Sequence, residues 1–343
     1  MTRLFYLLLL LPLIGCQPPG ASAAAKLTPV TVDEAAAYPS QEPGTKPPVL
    51  TGFTPLTKEQ LDEGWVQLFD DVSTYGWSVS EGEGMLSVMS DGTKNYLVFD
   101  QKGQGQVTIS HRFSETVFKQ KGNSESREET GTWQIFNEAT GKQWLSNVLA
   151  KPNNAQPLTE SDWKPASGAS EATWTADGVL ELTGGSGMVE TVREYGDFVL
   201  QLEYFTDRVS DGDTGKGGGI NSGVFFRCIP GENMNGYECQ ILNSPPDADY
   251  KSFIGTDTGG LFRRQVGRNV GAQDGEWNYL TIAVRGADMA TWVNGIQVTD
   301  WTDTRPEHEN PRNGKRLLPG TIQLQGHDPS TKILFRNFRV AEL

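Results

Sequence analysis

The second half of the chain is written in short alternating runs. In DFVLQLEYF, Phe198, Leu200, Leu202 and Tyr204 alternate with Val199, Gln201, Glu203 and Phe205, a period of two that predicts a strand. GVLEL and GMVETV alternate in the same way around Gly184–Gly185. NYLTIAVR reads as a further strand, and ATWV-NG-IQVTDW as a hairpin whose Asn294-Gly295 pair suits a two-residue type I′ turn. GTIQLQGH and KILFRNFRVAEL add two strands at the end. Upstream, Ser78 to Asp162 holds GMLSVMSDG, YLVFDQKGQGQVTISHRF and GTWQIFNEATGKQWLSNV, and the first of these loosely echoes Trp174 to Leu182. Such an echo also arises from composition alone. The only clear helix signal is TKEQLDEG, where Thr57 offers a cap and Gln60 follows three residues on. Beside it, GWVQLFDDVSTYGW places two tryptophans around a short apolar strand. Long 3.6-period stretches are scarce, so the pattern predicts an all-β sandwich or jelly roll.

Composition refines this picture. With 343 residues, 36% of them hydrophobic, the chain can bury one large core or two modest ones. A formal charge of −14 argues against a nucleic-acid partner, which needs a basic patch. At the N-terminus Arg3 precedes LFYLLLLLPLI, an apolar run shorter than the ~20 residues that span a bilayer. It fits the h-region of a signal peptide over residues 1–16 and ends in Leu13-Ile14-Gly15-Cys16, which resembles a bacterial lipobox. Cys16 is then the lipidated first residue of an extracytoplasmic protein, and Gln17 resembles the pattern of lipoproteins sent to the outer membrane. Residues 17–55, rich in Pro and Ala, read as a semi-extended tether at ~3 Å per residue. The globular domain is expected over residues 56–343.

The stretch RCIPGENMNGYECQ carries the candidate chemistry. Taken as antiparallel strands Val224–Ile229 and Tyr237–Leu242 with Cys228 opposite Cys239, it places both cysteines on the core face. A Cys228–Cys239 disulfide and two reduced core thiols are both compatible with that placement. On the opposite face Arg227 falls across from Gln240, near Glu238, with Phe225 and Leu242 beside them. GTIQLQGHDP repeats the motif, with Gln323, Gln325 and His327 on one side. Planar amide and guanidinium groups beside aromatic rings suit a sugar, the first for hydroxyls and the second for C–H faces. The bland alternative is a solvated outer face with one weak surface ion pair.

In order, GWVQLFDD, YGDFVLQLEY, INSGVFFR, YECQIL, GEWNYLTIAVRG, WVNGIQV and GTIQLQGHDPSTKILFRNFRV resemble the 3-keto-disaccharide hydrolase family of bacterial lipoproteins. The resemblance covers Trp163 to Leu343 plus Gly64–Trp77 and implies a concanavalin-like jelly roll. Residues 78–162 stand between the two parts as a β-rich insertion, either an extra layer or a cover for the groove. The implied substrate is a 3-keto-glycoside or 3-keto-disaccharide. A ketone at C3 acidifies C2–H, so a base can start elimination of the C1 oxygen, and hydration completes a net hydrolysis. That route needs a base and a cation or metal for the enolate oxygen. The polar face supplies Glu238 or His327 as base and Arg227 as enolate stabiliser, with Asn221, Gln240, Gln323 and Gln325 as substrate-binding residues. Asp211-x-Asp213-x-Gly215 offers oxygens for a divalent metal such as Ca²⁺, or is an ordinary acidic loop. The chain lacks GxSxG, HExxH and CxxC motifs, and His111, His308 and His327 are far apart in sequence, against a His-rich zinc site. A non-catalytic, lectin-like carbohydrate-binding module is the alternative, since fold alone does not settle function.

Overall fold

A computed structural model describes residues 27–38, 48–101, 106–113, 116–121, 124–128, 132–139, 144–207, 220–243 and 257–343. Cys16 and its leader, part of the 17–55 segment, and Asp211 and Asp213 lie outside the described residues. Two antiparallel sheets form a jelly-roll sandwich. The larger runs Glu171–Trp174, Leu180–Thr183, Lys332–Glu342, Phe198–Thr206, Trp277–Arg285, Asp288–Val293, Ile296–Thr302, with Gln156–Pro157 beside Lys332–Glu342. The smaller runs Gly187–Glu190, Thr321–Gly326, Ser222–Cys228, Tyr237–Ile241. Alternation dictates the core: Leu200, Leu202, Ile282 and Val284 from one sheet meet Val224, Phe226, Ile322 and Leu324 from the other. The Asn294-Gly295 turn has positive φ at both residues, 50° and 82°, as type I′ requires. Thr57 caps the helix Lys58–Asp62 in a capping box with Gln60.

The inserted stretch is an added β-layer on the back of the larger sheet. Strands Gly84–Ser90, Asn95–Gln101, Trp133–Ala139 and Trp144–Pro152 join Val66–Gln67 and Thr28–Pro29 in one sheet. Trp77–Glu81, Gln106–His111, Thr116–Lys121 and Ser124–Glu128 form another. Their apolar residues share a core with Val199, Ala283, Ala290 and Trp292, the residues of the larger sheet that alternate away from the sandwich interior. Trp292 meets the rings of Phe113 and Trp133 at 6.1 and 6.3 Å, and its Nε1 donates to the Gln67 carbonyl at 3.0 Å. His111 is wholly buried here, 3.2 Å from Gln297 Oε1, and burial pushes its pKa down to about 4.

Part of the stretch read as a tether is packed. Ala36, Ala37 and Leu50 are buried against Val72 and Ile296, and Thr28–Pro29 pairs with Ser90 and Met89. Small alanine side chains let the backbone approach closely, which a composition argument about disorder does not register. Close by, the buried Arg268–Asp70 pair at 2.5 Å ties the loop before Trp77 to the sandwich.

Candidate functional site

The outward face of the smaller sheet collects the polar residues. One row crosses all four strands: Glu190 pairs with Gln323, Gln323 with Phe225, and Phe225 with Glu238. Met188, Gln325 and Gln240 stand two residues along their strands from that row, on the same face. Two loops roof it. In the loop 229–236, Gly231 N donates to Glu190 Oε1 at 3.0 Å and Met234 N to Gln323 Oε1 at 3.1 Å, while Gln323 Nε2 donates to the Glu232 carbonyl. Arg312, from the loop after Ile296–Thr302, donates through Nε to the Met234 carbonyl at 2.6 Å and lies over the Phe225 ring at 5.7 Å.

Glu238 is the chemical centre of this face. It is 8% exposed, and its described ionic partner is Arg312, with the guanidinium nitrogen 4.0 Å from Oε2. Its carboxylate accepts no hydrogen bond among the described residues, so desolvation dominates. Burial pushes the pKa up to about 7, and the Arg312 and Arg263 charges only partly offset it. Gly223 leaves the space beside it: a Cβ there would lie 3.0 Å from Glu238 Oε1. The residue at this point must be small if the carboxylate is to keep its position.

The amides divide by what they already hold. Gln323 is committed at both ends to the loop and to Glu190, so it positions the roof and has no group left for a substrate. Gln240 Nε2 donates to Asn221 Oδ1 at 2.7 Å and to the Ser222 carbonyl at 3.2 Å, which fixes Asn221 at the strand end. Gln325 is 4% exposed, and its Oε1 has no partner among the described residues. Gln325 Oε1 and the Glu238 carboxylate are thus acceptors on this face that no described donor satisfies.

Three expectations are corrected. Arg227 does not join Glu238. A β-bulge between Phe225 and Cys228 puts Arg227 at φ 49°, and its guanidinium is fully buried, donating to the carbonyls of Gly196, Gly286 and Arg316 and to Asp197 at 2.6 Å. It ties the start of Phe198–Thr206 and the end of Trp277–Arg285 to the loop before Thr321–Gly326. The hairpin register also differs, with Val224 opposite Cys239 where Cys228 was expected. Pairing stops at Phe226 because the long loop folds back onto the sheet. The same bulge turns Cys228 to the outer side with Phe225 and Met188, whereas Cys239 stays in the sandwich core. Both thiols are free, so the disulfide is not formed. Finally, His327 is half-exposed and engaged with Asp328 Oδ2 at 2.8 Å, and no described contact joins it to Glu238. Arg312 was missed: it sits in RPEHENPRNGKR, a loop with no periodicity to say which way a side chain points. Among the described residues no cluster of three or more His, Cys, Asp or Glu side chains is arranged to hold a metal.

The sequence matches the 3-keto-alpha-glucoside-1,2-lyase-like domain family over residues 132–341, a span that takes in the last strands of the added layer. No curated protein matches the chain. Among solved structures, a candidate glycosyl hydrolase from Parabacteroides distasonis is 24% identical, with a TM-score of 0.39 over 53% of this chain and 99% of that one. Another from the same organism is 24% identical, with a TM-score of 0.42 over 62% and 91%. A carbohydrate-binding module from Bacillus subtilis is 14% identical, with a TM-score of 0.36 over 53% and 96%.

Proposed function

Because the chain belongs to the 3-keto-alpha-glucoside-1,2-lyase-like domain family, we propose that it cleaves 3-keto-glycosides, with Glu238 as the base. The observation that carries this reading is a buried carboxyl that accepts no hydrogen bond among the described residues, its pKa pushed up to about 7 by burial. A base is most useful when its pKa lies near the working pH, because it is then both present as carboxylate and strong enough to take a proton. Glu238 removes the C2 proton, and the C2–H electron pair becomes the C1=C2 double bond. The C1–O bond breaks, and the departing oxygen takes the proton that Glu238 now carries and leaves as an alcohol. Water adding across C1=C2 completes the hydrolysis. Arg312, 4.0 Å from Glu238, takes the role first given to Arg227 and faces the developing enolate oxygen. The Gln240–Asn221 pair receives the sugar hydroxyls.

This reading makes turnover the test. A 3-keto-disaccharide incubated with the protein, with and without divalent metal, should release the free sugar or accumulate the unsaturated keto intermediate. If no 3-keto-glycoside in a panel of oxidised disaccharides is turned over, the chemistry proposed for Glu238 is wrong and a carbohydrate-binding module becomes the better reading. We also propose that the protein is a lipoprotein anchored through Cys16 outside the cytoplasm, probed by lipid labelling of the intact chain and of Cys16→Ala. Labelling that persists in the variant would refute the anchor.

A further inference from the structure

A cavity of about 400 Å³ opens far from Glu238 in the chain, between the segment 52–57, the strand residue Gln67 with Phe69 in the bend after it, the hairpin tip at Lys94–Asn95 and the bulge at Ser146–Asn147. Its volume falls in the range of roughly 300–1,000 Å³ typical of small-molecule sites. None of its residues belongs to the smaller sheet or to the loops that roof it.

Three observations make it more than a gap between layers. Asp71 and Asn147 have left-handed backbone although neither is glycine, at φ 66° and 49°. Such positions gather where the surroundings hold a side chain to a task. Asn147 sits where the register shifts between Ser146 and Leu149, and bulges re-aim side chains in this way. Second, Gln67 is 5% exposed, and its Nε2 donates to the Thr54 carbonyl while its Oε1 accepts nothing among the described residues. Third, the lining is mixed in a particular manner. Phe69 and Leu56 are buried apolar walls, and around them stand amides, hydroxyls and a single carboxyl, Asp71, which receives the Thr54 amide at 3.3 Å. One carboxylate disfavours an anion. With Lys94 also on the lining, the cavity has too little negative charge to select a cation. Amides, hydroxyls and a carboxylate over an apolar backing suit neutral hydroxyl-bearing rings.

We infer that this cavity is a second carbohydrate site, holding one or two neutral sugar rings away from Glu238. It does not depend on the 3-keto chemistry. The probes are maltose, cellobiose and sucrose, which have no C3 ketone and so offer Glu238 no acidified C2–H. Saturation-transfer NMR on the folded chain should show binding of at least one of them. Asn147→Ala, at an exposed position, and Asp71→Asn should each weaken that binding about tenfold or more, while Glu238→Gln leaves it unchanged. Melting curves establish that the variants are folded, and Asn147→Ala alone decides if Asp71→Asn is not. Absence of transfer from all three sugars overturns the inference. So does binding that survives both substitutions, or binding lost in Glu238→Gln, which would place the sugar at the first site.

Discussion

Replacing Glu238 with glutamine separates the two things that the carboxyl does, and both can be read. Its folded pKa stands at about 7 against an ordinary value of 4.5, because burial disfavours the charge. Between those two pH values the folded state holds a proton that the unfolded state has lost, so stability falls as pH rises through the window. One pH unit of displacement corresponds to about 1.4 kcal/mol, so the cost is absent below pH 4.5 and reaches about 3 kcal/mol above pH 8. Glu238→Gln has no proton to lose. Any constant penalty for a buried amide is the same at every pH, and the titration of His111 is common to both proteins, so neither affects the comparison. Urea unfolding of wild type and variant at pH 5 and pH 8.5 should show the variant gaining about 2–3 kcal/mol relative to wild type at the higher pH. Turnover should fall by ~10²-fold or more in the same variant, since a general base is worth that much. A stability difference that does not change with pH would refute the reasoning, because it would mean that the carboxylate is solvated or paired.

Arg312→Ala removes the larger of the two cationic contributions, Arg312 and Arg263, that pull the Glu238 pKa down, so the rising limb of the pH–rate profile should move above about 7 and kcat should drop about tenfold or more; an unmoved profile would show that Arg312 does not act on Glu238. Arg227→Lys keeps the charge but not the forked set of donors to three carbonyls, and should cost about 2 kcal/mol or more in urea unfolding. Wild-type stability in that variant would contradict a locking role. Thiol titration of denatured Cys16→Ala should count both Cys228 and Cys239, with the same melting temperature in oxidising and reducing buffer; a lower count would mean a disulfide after all.

Alternation made most of the sandwich legible. The strands around Phe198–Thr206, the Asn294-Gly295 turn and the capped helix all follow from local pattern, because each is decided by neighbours in sequence. The polar face of Tyr237–Ile241 was legible for the same reason: parity alone puts Glu238 and Gln240 opposite Cys239. Parity failed two residues from the strand end. One left-handed residue, Arg227, reverses every face assignment beyond it, and nothing in RCIP announces the bulge. Arg312 was out of reach for a different cause, since a loop has no period and its side chains are aimed by contacts made after folding. The inserted layer was recognised as β but not located, because the pattern of a strand says which side is apolar and not what will cover it.

The added layer has a consequence for how this domain can be taken apart. Val199, Ala283, Ala290 and Trp292 form the back of the larger sheet, and all are buried under residues from upstream of the sandwich strands. A version trimmed to the sandwich strands alone would expose this apolar wall to water, and contiguous patches of that kind drive self-association. The layer is thus not a detachable module. It covers a face that the sandwich cannot cover by itself, and an expression boundary drawn at Trp163 is expected to yield a sticky fragment in place of a smaller domain.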